Sequence, residues 1–120
     1  MRWTVKWLEE AVNDLENLDN SIRKKVLKAA LKLEIDPLHY GKPLGEKLDI
    51  DLVGLRKIAI EGHRLVYLPE KETVFVAVVA VGKREGMGIY KTAAKRIAEY
   101  RELTGNELKR LANLLNQSMI

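Results

Sequence analysis

Trp3, Val5 and Trp7 alternate with Arg2, Thr4 and Lys6, a period of two that predicts a half-buried strand. From Leu8 the period lengthens, and Leu8, Ala11, Val12, Leu15 and Leu18 fall on one face of a helix. Asp19-Asn20-Ser21 interrupts this pattern and offers N-cap oxygens to a second helix. That helix is expected to carry Ile22, Val26, Leu27, Ala30, Leu31, Leu33 and Ile35 inward, with Arg23, Lys24, Lys25, Lys28 and Lys32 outward. Asp36-Pro37 ends it, because the residue before proline disfavours helix. Two helices joined this tightly form an antiparallel hairpin.

Residues 36–51 contain Pro37, Gly41, Pro43 and Gly45 and read as a loop, with Leu44 and Leu48 tucked beneath it. Leu55–Ile60 and His63–Leu68 then read as strands joined by Glu61-Gly62, a two-residue hairpin signal. Pro69-Glu70-Lys71-Glu72 makes the next turn. The run from Val74 to Val81 is apolar throughout, as expected of a strand covered on both faces. Gly82, Gly86 and Gly88 bracket the Lys83–Gly88 segment. A helix from about Ile89 to Arg101 follows, with Ala93, Ala94, Ile97 and Ala98 as its apolar face. Thr104-Gly105-Asn106-Glu107 has capping-box spacing for a last helix at about 104–118, striped by Leu108, Leu111, Leu114 and Leu115. The order β–α–α–β–β–β–α–α predicts one α+β domain over residues 1–120. In it the N-terminal strand and helix hairpin pack on an antiparallel-rich sheet, C-terminal helices are added, and the other sheet face stays partly open.

Composition narrows the chemistry. The 120 residues are 47% hydrophobic and 32% charged, an ordinary globular mixture. No apolar run approaches the ~20 residues of a membrane-spanning helix, and no signal-peptide stretch stands at the N-terminus, so a cytoplasmic protein is expected. The absence of cysteine excludes disulfides, thiolate zinc sites and cysteine nucleophiles. With two histidines, His39 and His63, a histidine-built metal centre is not expected, and no cofactor is implied. Residues 54–101 carry 10 Lys/Arg against 5 Asp/Glu, whereas residues 1–53 carry 9 against 10. The +5 segment is the footprint expected of a nucleic-acid or phosphate partner, or else a solvated charged face.

Strand parity turns that segment into a surface. With Glu61 and Gly62 as the turn, Ile60 faces His63, Ala59 faces Arg64 and Lys57 faces Val66. Lys57, Arg64, Val66 and Leu68 then share one side, and Arg56, Ile58, His63, Leu65 and Tyr67 the other. A three-residue turn would put Arg56 beside Arg64 instead. Either way a cation joins Arg64 in mid-sheet, which is costly unless that face is wet or meets an anion. Lys83 and Arg84 follow at the rim of the sheet, and Tyr90 comes six residues after Arg84. Arginines present bidentate donors to phosphate oxygens, lysine supplies charge or moves a proton, and tyrosine stacks on a base or transfers a proton. RNA carries its own nucleophile, the 2′-hydroxyl, so such a site can cut it without a metal. The structural alternatives are an Arg64 paired with Glu46 or Glu61, Lys83 and Arg84 as edge-strand charges, and Tyr90 as a packing aromatic.

The blocks His63-Arg64-Leu65-Val66-Tyr67 and Val81-Gly82-Lys83-Arg84-Glu85, with Tyr90, resemble the RelE branch of the RelE/ParE toxin superfamily. Lys42-Pro43-Leu44-Gly45 and Ala94-Lys95-Arg96-Ile97 are also similar to HigB-like relatives. The resemblance runs from Trp3 to about Tyr100. It implies the toxin of a type II toxin–antitoxin system: an mRNA interferase, neutralised by an antitoxin protein, that cleaves mRNA in the ribosomal A site. The family's phosphate-binding and transition-state arginines fall on Arg64 and Arg84, and its stacking or proton-transfer tyrosine on Tyr90. Its basic pair before the hairpin turn is half kept, with Lys57 matching and the second member falling on Ala59. Arg56, Lys83 and Lys91 are the further basic residues expected to bind RNA. A ParE-like gyrase inhibitor and a non-catalytic antitoxin-binding module are the alternatives, the latter favoured by Ala59. The leucine stripe of the last helix is expected to serve as core, as a lid, or as the place where an antitoxin helix binds.

Overall fold

The structure of the chain, a computed structural model, describes residues 2–47 and 50–102. It is an α+β fold on a five-stranded sheet of order β1-β5-β4-β3-β2. Strand β1 (Thr4–Trp7) runs parallel to β5 (Phe75–Lys83) at one edge, and every other pairing is antiparallel. Helices α1 (Glu9–Glu16) and α2 (Asn20–Lys32) form the expected hairpin. Arg23 secures it by donating to the carbonyls of Leu15, Glu16 and Leu18 at the end of α1. Ala11, Val26, Ala29, Ala30 and Leu33 press on Ile58, Ile60, Leu65, Tyr67, Val76 and Val78 of the sheet.

Leu27, Leu31 and Ile35 do not join that core; Leu31 is 61% and Ile35 67% exposed, and Val12 of α1 also faces outward. The small Ala29 and Ala30 let α2 approach the sheet along one narrow line, so Leu27 and Leu31, about 100° round the helix from Val26 and Ala30, remain in solvent, while Ile35 lies past the helix end.

The segment 36–51 corrects the expectation of a loop. Pro37–Tyr40 form a one-turn helix, α3, whose Asp36 carboxylate accepts from the His39 N–H at 3.2 Å. Lys42–Lys47 form an edge strand, β2, antiparallel to β3 (Ile50–Ile60), which therefore begins before the expected Leu55. The ladder shifts register between Pro43 and Gly45, and Gly45 has φ +64°, so the proline and glycine mark an irregular edge strand. Leu44 is buried as expected. Leu48 and the last expected helix lie outside the described residues.

The hairpin from β3 to β4 (His63–Glu70) has the register read from the sequence: Ile60 opposite His63, Ala59 opposite Arg64, Lys57 opposite Val66. Glu61 (φ 42°) and Gly62 (φ 78°) both lie in the left-handed region, the signature of a type I′ turn. Gly62→Ala is expected to cost about 1 kcal/mol, read as a lower urea midpoint with an unchanged slope. The following turn begins later than expected: Pro69 and Glu70 still pair with Val76 and Phe75, and the chain reverses over residues 71–74.

Strand β5 is buried on both faces. Val76, Val78 and Val81 meet the helix hairpin, while Ala77, Val79 and Ala80 meet a second cluster on the opposite face. A bulge against Val66/Tyr67 puts Val79 and Ala80 on the same side. The opposite face is covered in part by a helix over residues 88–102, named α4. Its inward residues are Ile89, Tyr90, Ala93 and Ile97; Ala94 is only partly buried and Ala98 is exposed, contrary to expectation. Beyond the end of β1, the edge of β5 is closed by an ion pair. The Asp14 carboxylate accepts from the Val81 N–H at 3.1 Å and from Arg96 at 2.6 and 3.2 Å, and Arg96 also donates to the Val79 carbonyl at 3.1 Å. No helix among the described residues is long and apolar enough to cross a membrane.

Candidate active site

The strands deliver the cations, and α4 delivers the phenol. Lys57 of β3 and Arg64 of β4 lie on the sheet face that α4 covers, because the type I′ register puts them in phase with Val66 and Leu68. Arg64 is flanked by small residues, Ala59 on one neighbouring strand and Gly82 on the other. Arg84 leaves the end of β5 with its backbone N–H bonded to the Gly62 carbonyl at 2.9 Å, which ties it to the hairpin turn. Tyr90 sits in the first turn of α4 with no exposed surface, its ring in the core cluster of Val66, Leu68 and Val79.

These four residues converge. Lys57 Nζ lies 3.3 Å from the Tyr90 hydroxyl and 5.6 Å from the ring centre. The Arg84 guanidinium carbon lies 5.9 Å from the same ring centre. Burial raises the pKa of the Tyr90 phenol, but hydrogen bonds from Arg84, Lys57 and Arg64 and the charge on Lys57 outweigh it, and the net shift is downward. Arg64 donates to the His63 carbonyl at 2.9 Å, while its buried Nε has no partner. Among the described residues neither arginine forms an ion pair: Glu61, one of the two expected rivals for Arg64, is bonded to Lys25, and the side chain of the other, Glu46, lies outside what the structure describes. A guanidinium with an unspent buried donor, unpaired among the described residues, is a place for an anion.

The other basic candidates are not brought together with this set. Arg56 lies on the opposite face, where it hydrogen-bonds the Gly41 carbonyl. There it joins a clamp centred on Tyr67, whose hydroxyl donates to the Pro37 carbonyl at 2.7 Å and accepts from the Gly41 N–H at 3.1 Å. Burial pushes the Tyr67 pKa up, so this phenol stays protonated. Lys83 pairs with His63 in the ladder and lines a cavity with it and Asn17 and Asp19 on the helix-hairpin side. His63 thus points away from Arg64, as the parity required. Lys91 is exposed on α4, next to Tyr90.

One contributor was not singled out from the sequence. Lys42 of β2 is the direct partner of Lys57 and lines an open cavity of about 440 Å³ with Tyr40, Gly41, Lys57, Ile58, Ala59 and Arg64. Its place could be read only by recognising β2 as a strand, and Pro43 and Gly45 hide that strand.

A family model described as the ParE toxin of the type II toxin–antitoxin system, parDE, matches residues 5–87. A putative RelE-like toxin protein of Escherichia coli is 35% identical over 97 residues, covering 81% of this chain and 99% of that protein. This chain belongs to the RelE/ParE toxin family. The mRNA interferase toxin RelE of E. coli strain K12 is 31% identical to this RelE-like toxin over the same shares of the two chains. In a structure of the RelBE2 toxin–antitoxin complex from Mycobacterium tuberculosis, the matching chain superposes with a TM-score of 0.61 at 29% identity, covering 70% of this toxin and all of that chain. The family resemblance and the α+β fold read from the sequence are therefore correct.

Proposed function

We propose that this toxin is a ribosome-dependent endoribonuclease that cleaves mRNA by attack of a 2′-hydroxyl on the adjacent phosphate. The observation that carries this reading is the convergence of Lys57, Arg64 and Arg84 on the Tyr90 hydroxyl. In this reading the two arginines bind the scissile phosphate and stabilise the charge that grows on its oxygens. As the cations that cover it turn to the phosphate, the Tyr90 phenolate is uncovered and takes the proton of the 2′-hydroxyl. A bond forms from O2′ to phosphorus, the bond to the 5′-oxygen breaks, and that oxygen takes its proton from the Lys57 ammonium. The products are a 2′,3′-cyclic phosphate and a 5′-hydroxyl, and a proton passed from Tyr90 to Lys57 resets the pair. The buried ring of Tyr90, already faced by Lys57 and Arg84, favours proton transfer over base stacking. Lys91 and Lys83 lie outside the cluster and serve only as peripheral RNA contacts.

The partner in this reading is a cognate antitoxin, as the family's type II system implies, and the site of action is the ribosomal A site in the cytoplasm. The test is induced expression followed by mapping of message ends. Growth arrest with A-site cuts ending in cyclic phosphate is the expected result. Gyrase-dependent DNA damage with intact messages would instead favour the activity suggested by the ParE name of the matching family model.

The pH dependence has a definite sign. The base form of Tyr90 accumulates as pH rises, so single-turnover cleavage should climb with pH and level off below the ordinary tyrosine pKa. Arg64→Lys, which weakens a hydrogen bond that holds the pKa down, should displace that climb to higher pH. An unchanged profile would remove Tyr90 from the proton-transfer role.

A further inference from the structure

The cavity between β2 and β4 lies on the same sheet face as the catalytic cluster, one strand further out. Its arrangement is electrostatically odd. Lys42 and Lys57 are direct cross-strand partners, a like-charged pair that costs stability in a sheet, and among the described residues neither has a carboxylate partner. Arg64 forms a third cationic wall, and the floor between them is Ala59, whose methyl group leaves the space empty. About 440 Å³ is within the range of small-ligand sites, and neighbouring strands stand ~4.8 Å apart, so the cavity continues directly from Lys57.

Lys42 is also held in place. The Gly41 carbonyl accepts from Arg56 and the Gly41 N–H is bonded to the Tyr67 hydroxyl, which pins the start of β2 against β3. A side chain at Gly41 would meet the Lys57 carbonyl at 2.6 Å, so this approach requires glycine. A clamp this tight immediately before an exposed lysine fixes the backbone from which its ammonium reaches.

Resting on the ribonuclease reading, we propose that Lys42 is a further substrate-binding residue. It reaches across the cavity above Ala59 to grip the RNA phosphate next to the scissile one, supplying the second ammonium that Ala59 does not. A cation on β2 and one rising from position 59 on β3 enter the same space, so the two positions are exchangeable in this role.

The experiment uses the full chain on programmed ribosomes. The binding probe is a message methylated at the 2′-oxygen of the cleavage position, and the cleavage substrate is its unmodified counterpart. Lys42→Ala and Lys42→Gln are expected to weaken binding of the probe about tenfold, raising KM with kcat within a factor of two. They should also reduce the salt dependence of binding by ~0.7 in the log–log slope, the share of one single-strand phosphate contact. Adding Ala59→Lys to Lys42→Ala should restore binding. Wild-type binding by both Lys42 variants, beside an inactive Arg84→Ala, would overturn the Lys42 assignment alone. A loss that Ala59→Lys does not restore would reduce Lys42 to a structural part of β2 and overturn it equally. Undiminished cleavage by Arg84→Ala would bring down the ribonuclease reading, and this proposal with it.

Discussion

Replacing Arg84 by alanine is expected to lower mRNA cleavage by roughly 10²–10³-fold, the usual loss when one preorganised donor to a developing oxyanion is removed. Arg84 is anchored by its backbone to the Gly62 carbonyl, while its guanidinium lies over the Tyr90 ring and has no carboxylate partner among the described residues. Truncation therefore removes phosphate stabilisation and one of the three cations acting on the phenol, without opening the core, because Arg84 is exposed. The thermal midpoint should stay near that of the wild type. Arg84→Lys should recover only part of the activity, since an ammonium cannot hold two phosphate oxygens in a fixed fork. The measurement is the rate of A-site cutting after induction, read from mapped message ends. Wild-type cutting by Arg84→Ala would end the nuclease assignment.

The second large effect concerns stability. Asp14→Ala is expected to destabilise the fold by about 3 kcal/mol, at the low end for breaking a buried pair because each side chain keeps about a fifth of its surface exposed, 21% for Asp14 and 17% for Arg96. The carboxylate accepts from both Arg96 and the Val81 N–H, so its loss strands a cation and a backbone donor of β5 together. For a domain of this size the thermal midpoint should fall by roughly 10 °C. Arg96→Ala strands Asp14 and frees the Val79 carbonyl, and the double variant should cost clearly less than the two single costs added. Additive losses would show that the two residues act independently.

The parts of the fold legible in the sequence were those governed by alternation and turn chemistry. Glu61-Gly62 set a two-residue turn, the turn set the phase of both strands, and that phase put Lys57 with Arg64 and turned His63 away. The doubly apolar run of β5 correctly announced cover on both faces. What was not legible depended on contacts between distant elements. Pro43 and Gly45 masked β2, because an edge strand tolerates residues that a central strand would reject. Leu27 and Leu31 lie about 100° round α2 from the buried Val26 and Ala30, and Ile35 lies past the helix end, so periodicity alone could not show that all three stay outside. Arg56 looked like a site cation until the fold supplied Gly41 as its partner. Lys83 and Arg84 are consecutive residues, yet Lys83 still belongs to β5 and pairs with His63 on the helix-hairpin side, while Arg84 has left the strand.

The parallel pairing of β1 with β5 carries a consequence for how a cell makes this toxin. Thr4 has no strand partner until Phe75 is made, about seventy residues later, and Arg84 and Tyr90 follow Phe75 by nine and fifteen residues. A polypeptide made only as far as β4 therefore leaves β1 unpaired and lacks both the second arginine and the phenol. Closure of the sheet and arrival of the second arginine and the phenol therefore fall within one short span of chain synthesis.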